Sequence, residues 1–201
     1  MKKPILTVPN PMLRTKSVDL DLKKDLPLIQ SYIKDLEETL GKKANPKGVG
    51  LSAPQIGKNL RMFSSFLPPS SNAKDQDRPT EEEKDEAVLA TYLNPVIVNT
   101  SKDKTFGPNP EDPILEGCLS IPQLYGPVPR FSWVTLHFWT PKLEEKEVVF
   151  HGFFARVIQH EFDHLEGILF VDYIRELNLP LFEQQNKKMI EIDPTIINAL
   201  G

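Results

Sequence analysis

Apolar side chains recur at helical spacing in three stretches of the chain and at strand spacing in several others. In residues 26–40, Leu28, Ile29, Tyr32, Ile33, Leu36 and Leu40 fall on one face of a 3.6-residue period, which predicts an amphipathic helix. Asp25 suits its N-cap, Pro27 its first turn and Gly41 its end. A second helix is expected over residues 153–165, stopping at Gly167, and a shorter third one over residues 181–192, after Pro180. Apolar runs at 60–67 and 88–100 read as strands. Residues 133–140 alternate Val134, Leu136 and Phe138 with Trp133, Thr135 and His137, and residues 147–153 are rich in Val and Phe, so both read as strands too. This order predicts an α+β fold: mostly antiparallel strands around the helix of residues 153–165, with an N-terminal helix and a short C-terminal helix.

Between the first two strands the pattern lapses. Pro68-Pro69-Ser70-Ser71-Asn72 leads into residues 74–86, which hold three basic and seven acidic side chains. Their balance of −4 equals that of the whole 201-residue chain, so the remainder is neutral. Such a stretch has too few apolar groups to offset the cost of ordering it. Residues 66–87 are therefore expected to be a mobile acidic insertion within a single domain spanning 1–201. A neutral remainder offers no basic face for nucleic acid or an anionic membrane, and no apolar run is long enough to span a bilayer. Pro4 and Pro9 interrupt the cationic start, so no secretory leader is expected. A lone cysteine, Cys118, excludes an intrachain disulfide. The 19 prolines are about twice the usual share, and six of them lie between Pro108 and Pro129, which predicts an extended, turn-rich segment there.

The strongest chemical signal lies on the second predicted helix, where His160-Glu161-Phe162-Asp163-His164 is an H-E-x-x-H sequence. Positions i and i+4 share a helix face, so both imidazoles reach one metal ion while Glu161 projects beside it. Half of the chain's 4 histidines fall in this motif, which makes two ordinary surface histidines a poor account of it. A catalytic site of this kind takes a third protein ligand and leaves a position for water. The extended protease motif would place a histidine where Phe170 stands, so that version fails. Two candidates remain on residue chemistry: Glu183 downstream, and Cys118 in Glu116-Gly117-Cys118-Leu119-Ser120, where the preceding glycine permits close approach. Gly48-Val49-Gly50 lacks the lysine of a phosphate loop and suits instead a backbone edge that pairs with an extended peptide.

Three segments, Gly48-Val49-Gly50-Leu51-Ser52-Ala53-Pro54-Gln55, Glu116-Gly117-Cys118-Leu119-Ser120 and Gln159-His160-Glu161-Phe162-Asp163-His164-Leu165-Glu166-Gly167, resemble in order the signature motifs of peptide deformylases. The resemblance extends from about Val8 to Asp172. It implies a metal-dependent hydrolase that removes the N-terminal formyl group from formylmethionine of newly made polypeptides. Its partners would be N-formylmethionyl nascent chains, at the ribosome, in a bacterial cytoplasm or as the mature form of an organellar protein. It further implies one divalent ion held by Cys118, His160 and His164, with iron(II) favoured over zinc, nickel or cobalt. Glu161 would be the general base, and the Gln55 side chain and Leu119 backbone N–H the donors to the developing oxyanion. Val49 and Gly50 would hold the substrate backbone, Glu116 would line the methionine-side pocket, and Arg130 with Asp163 would fix the metal helix. Two residues depart from the family pattern: Ser52 stands where alanine is usual, and Tyr125 where many bacterial members carry a substrate-contacting arginine. The competing readings are a zinc endopeptidase using Glu183 and a non-catalytic deformylase-like peptide-binding protein, which has no need of Glu161 or Gln55.

Overall fold

A computed structural model of the chain describes residues 2–24, 26–42, 48–67 and 88–200. Along it run helix α1 (Leu26–Gly41) and strands β1 (Gly50–Ser52), β2 (Met62–Leu67), β3 (Val88–Thr100), β4 (Lys104–Thr105), β5 (Leu115–Cys118), β6 (Ile121–Pro127), β7 (Arg130–Phe131), β8 (Trp133–Trp139) and β9 (Glu145–His151). Helices α2 (Gly152–Leu165) and α3 (Phe170–Glu176) follow, then strands β10 (Leu181–Gln185) and β11 (Lys188–Ile192). The strands pair antiparallel in three sheets, ordered β1-β2-β3-β8-β9, β11-β10-β6-β5 and β4-β7. Among the described residues no helix is long and apolar enough to cross a membrane.

The apolar periodicity decides which faces are buried. In α1, Ile29, Ile33, Leu36 and Leu40 pack with Leu51, Met62 and Leu93. Leu28, expected in the same stripe, is 49% exposed, because one position before Ile29 lies about 100° around the helix. Helix α2 sets Phe154, Ala155, Ile158 and Leu165 against Phe63, Tyr92, Val134 and Leu136 of the five-stranded sheet. Full burial of side chains such as Leu36, Leu136 and Ile158 stabilises the fold by about 1.5–3 kcal/mol each. The metal motif is thus carried on a helix whose opposite face is clamped to a sheet.

Two expectations need correction. Strand β9 ends at His151, not at residue 153, because Gly152 takes φ of 51° and donates its N–H to the Ser132 carbonyl at 2.8 Å. That left-handed residue, which glycine adopts without strain, turns the sheet directly into α2. Residues 181–192 form the β10–β11 hairpin, not a helix. Their Leu, Glu, Gln, Lys and Met favour helix locally, but Asn186 and Lys187 have φ of 48° and 66°, the backbone of a two-residue hairpin turn. Phe182 and Glu183 then pair with Tyr125 and Leu124 of β6, and this pairing outweighs local preference. The C-terminal helical turns are instead α3 and a 3-10 segment at Pro194–Ala199. The acidic insertion expected at 66–87 lies outside the described residues except for Phe66 and Leu67, which close β2, and the expected N-cap Asp25 lies outside them too.

Candidate metal centre

Helix α2 presents His160 and His164 one turn apart, with ring centroids 5.1 Å apart and planes nearly perpendicular. Cys118 closes β5 opposite them, where the register with β6 slips between Gly117 and Cys118. Its Sγ lies 3.2 Å from His164 Nε2 and accepts the Ser120 N–H at 3.4 Å. One ligand atom from each of Cys118, His160 and His164 lies within 4.8 Å of the other two. Burial opposes ionisation of Cys118, but His164 and His160 beside it hold the thiol well below its ordinary pKa, which favours the ligating thiolate. A thiolate with two imidazoles, converging and otherwise enclosed, fits a divalent transition ion with one further position. Glu183 does not join them: it sits on β10 with its carboxylate on Gln185 Nε2.

Strand parity puts Glu116 on the same side of β5 as Cys118, two residues away. Its carboxylate accepts Arg130 Nε at 3.0 Å and Nη2 at 2.9 Å, Arg156 Nη1 at 2.8 Å, and His160 Nδ1 at 3.1 Å. Burial alone would raise its pKa, but Arg130 and His160 hold it far below the usual carboxylate range. An ionised carboxylate only accepts, so His160 carries its proton on Nδ1 and turns Nε2 to the cluster. Glu116 borders the cleft, and its charge is taken up by Arg130, Arg156 and His160. Arg130 also reaches Asp163 Oδ2 at 2.5 Å and lies over the Tyr173 ring at 4.9 Å, so the expected Arg130–Asp163 contact exists.

Arg156 is the residue that sequence reading missed. It is buried, donates to the Val128 and Thr105 carbonyls as well as to Glu116, and lies one helical turn before His160. That i, i+4 spacing was the available signal.

Glu161 is 4% exposed, and its Oε2 has no hydrogen-bond partner among the described residues. Burial raises its pKa to about 7, partly offset by His160 and His164. The carboxylate rests on Gly50: a Cβ there would stand 2.3 Å from Glu161 Oε1. Gly50 thus seats the glutamate as well as forming, with Val49, part of a cleft wall. That cleft has a volume of about 480 Å³ and is also bordered by Gln55, Leu119 and Tyr125. Strand β1 is the end strand of its sheet, paired on one side with β2. Tyr125 covers Gly117 and donates to Gln184 Oε1 at 3.5 Å.

Gln55 is buried in a 3-10 turn, Ala53–Ile56, following β1. Its Oε1 accepts the Ser52 N–H at 2.8 Å and the Ser52 hydroxyl at 3.1 Å. Its Nε2 donates to Ser120 Oγ at 3.1 Å and faces Cys118 Sγ at 3.5 Å.

The family model for polypeptide deformylase matches residues 2–179. A peptide deformylase of Flavobacterium johnsoniae is 36% identical over 189 residues, covering 94% of this chain and 89% of the relative. One from Thermomicrobium roseum is 38% identical over 172 residues, covering 86% of this chain and 85% of the relative. Among solved structures, the Met-Ala-Ser-bound class I type b peptide deformylase of Acinetobacter baumannii superposes with a TM-score of 0.69 at 28% identity, covering 87% of this chain and 99% of that one. With the family matched over nearly its whole length, the chain belongs to the polypeptide deformylases, metal-dependent hydrolases that remove the N-terminal formyl group from nascent polypeptides.

Proposed function

We propose that Cys118, His160 and His164 hold the divalent ion, iron(II) in the native enzyme, and that Glu161 is the general base for hydrolysis of formylmethionyl chains as they leave the ribosome in the cytoplasm. The observation that carries this reading is the buried Glu161 carboxylate, one oxygen of which has no hydrogen-bond partner among the described residues, set between the two histidines on α2. When bound, the ion supplies Lewis-acid activation of water. Zinc, nickel and cobalt share the preference of iron(II) for this donor set. Glu161 takes a proton from the attacking water and returns it to the amine nitrogen as the C–N bond breaks, releasing formate. The formyl oxygen gains charge as its carbon becomes tetrahedral, and Gln55 Nε2 and the Leu119 N–H donate to it. Val49 and Gly50 pair with the substrate backbone along the outer edge of β1, the end strand of its sheet. The Met-Ala-Ser bound in the Acinetobacter relative supports a methionine-led peptide as the occupant.

Formate release from a formyl-Met peptide, by protein loaded anaerobically with iron(II), zinc, nickel or cobalt, tests this reading. Chelation should abolish release and the returned ion restore it, with iron(II) faster than zinc. No release with any of the four ions refutes the assignment, and equal iron and zinc rates refute the preference.

A second expected result concerns the seat of the base. In Gly50→Ala the new methyl displaces the Glu161 carboxylate, and a misplacement of about 1 Å costs about 10²-fold in rate. The variant should lose kcat on that scale while its melting temperature, followed by circular dichroism, stays near that of the parent. Wild-type kcat in this variant would show that Glu161 does not depend on Gly50.

A further inference from the structure

We propose that Ser52 is a positioning residue for catalysis, its hydroxyl locking the Gln55 amide with its donor end toward the reacting formyl oxygen. The inference rests on the reading of Gln55 as an oxyanion donor and assigns that donor a partner outside the metal cluster.

Ser52 ends β1 and directly precedes the turn that carries Gln55, so the glutamine side chain folds back over it. It is fully buried, at 0% exposure, so its hydroxyl must bond within the protein. The partner is Gln55 Oε1 at 3.1 Å, beside the backbone N–H of the same serine at 2.8 Å. Two donors from one residue thus fill both lone pairs of the amide oxygen. A side-chain amide is nearly symmetric in shape but not in chemistry, and with its oxygen held twice the NH2 has one direction left. That direction is toward Ser120 Oγ and toward Cys118 Sγ, which borders the cleft.

Without the hydroxyl, the Ser52 N–H and the Ser120 Oγ bond would hold the amide by one contact at each end and leave one lone pair of Oε1 unsatisfied. The second donor also polarises the amide, because hydrogen bonds in series strengthen one another, and makes Nε2 a better donor. Both effects matter most when charge builds on the formyl oxygen. Their loss therefore falls on kcat and spares KM.

Holoenzyme S52A, S52T, S52V, Q55A and S52A/Q55A are compared with wild type for formate release and by side-chain amide NMR. One neutral hydrogen bond predicts that S52A loses about three- to tenfold in kcat at unchanged KM. S52T, which keeps the hydroxyl, should retain more kcat than S52V, which has the same volume without it. S52A should cost nothing further on the Q55A background. The Gln55 NH2 resonances, identified by their absence in Q55A, should shift in S52A and S52V but hold in S52T. Wild-type kcat in S52A, equal kcat in S52T and S52V, or an undiminished S52A effect in the absence of Gln55 overturns the role of Ser52. Wild-type kcat in Q55A is a separate failure: it removes Gln55 as an oxyanion donor, and the role of Ser52 with it.

Discussion

Glu161→Gln is expected to lower kcat for formate release by about 10²- to 10⁴-fold, the range that a positioned general base contributes. Glutamine preserves the volume of the side chain, so the contact with Gly50 and the packing of α2 survive. What it loses is the capacity to accept a proton. The proposed ligands, Cys118, His160 and His164, remain in place, so one equivalent of ion should still be bound. Kinetics and metal analysis on the same preparation separate the two effects. An enzyme that retains its ion and stays within tenfold of the parent rate would place the base elsewhere.

The second large effect is loss of the ion itself. Cys118→Ala removes the only thiolate and leaves two imidazoles on one helix, too few to hold a transition ion against a competing chelator. Loss of a group that merely orients a ligand costs about 10- to 100-fold in affinity, so removal of a ligand should exceed about 100-fold. Glu183→Ala is the matched control. Its carboxylate lies on β10 against Gln185, and that variant should keep its ion. Competition with a chromophoric chelator measures both. Retention in Cys118→Ala together with loss in Glu183→Ala would replace the cluster with the endopeptidase arrangement.

The histidine pair was legible because an i, i+4 relation is local: once a helix is granted, geometry follows from spacing alone. Glu116 was harder. Its partners Arg130, Arg156 and His160 are 14, 40 and 44 residues away, and only the folded arrangement of β5, β7 and α2 brings them together. Its position two residues before Cys118 marked it as sharing a strand face with a candidate ligand, but not as the partner of His160 Nδ1. Arg156 could have been found, since a guanidinium on the metal-bearing helix one turn before His160 requires a buried counter-charge. The hairpin of residues 181–192 could not be read from composition, because its helix-favouring residues were overruled by the edge of β6. Asn186 at its centre was the sole local hint of a turn.

The anchoring of His160 by Glu116 and of Cys118 by the Ser120 N–H has a consequence for how the enzyme acquires its metal. Donors held in place by the fold admit an ion without remodelling around it. Such a set filters by the softness of the ligands, and iron(II), zinc, cobalt and nickel pass that filter alike. Among them the occupant is decided by mass action, by whichever ion has the greatest free concentration relative to its dissociation constant. The identity of the working metal is therefore a property of the cell's ion economy as much as of this polypeptide, and activity in vivo should follow the supply of one ion and the scarcity of its competitors.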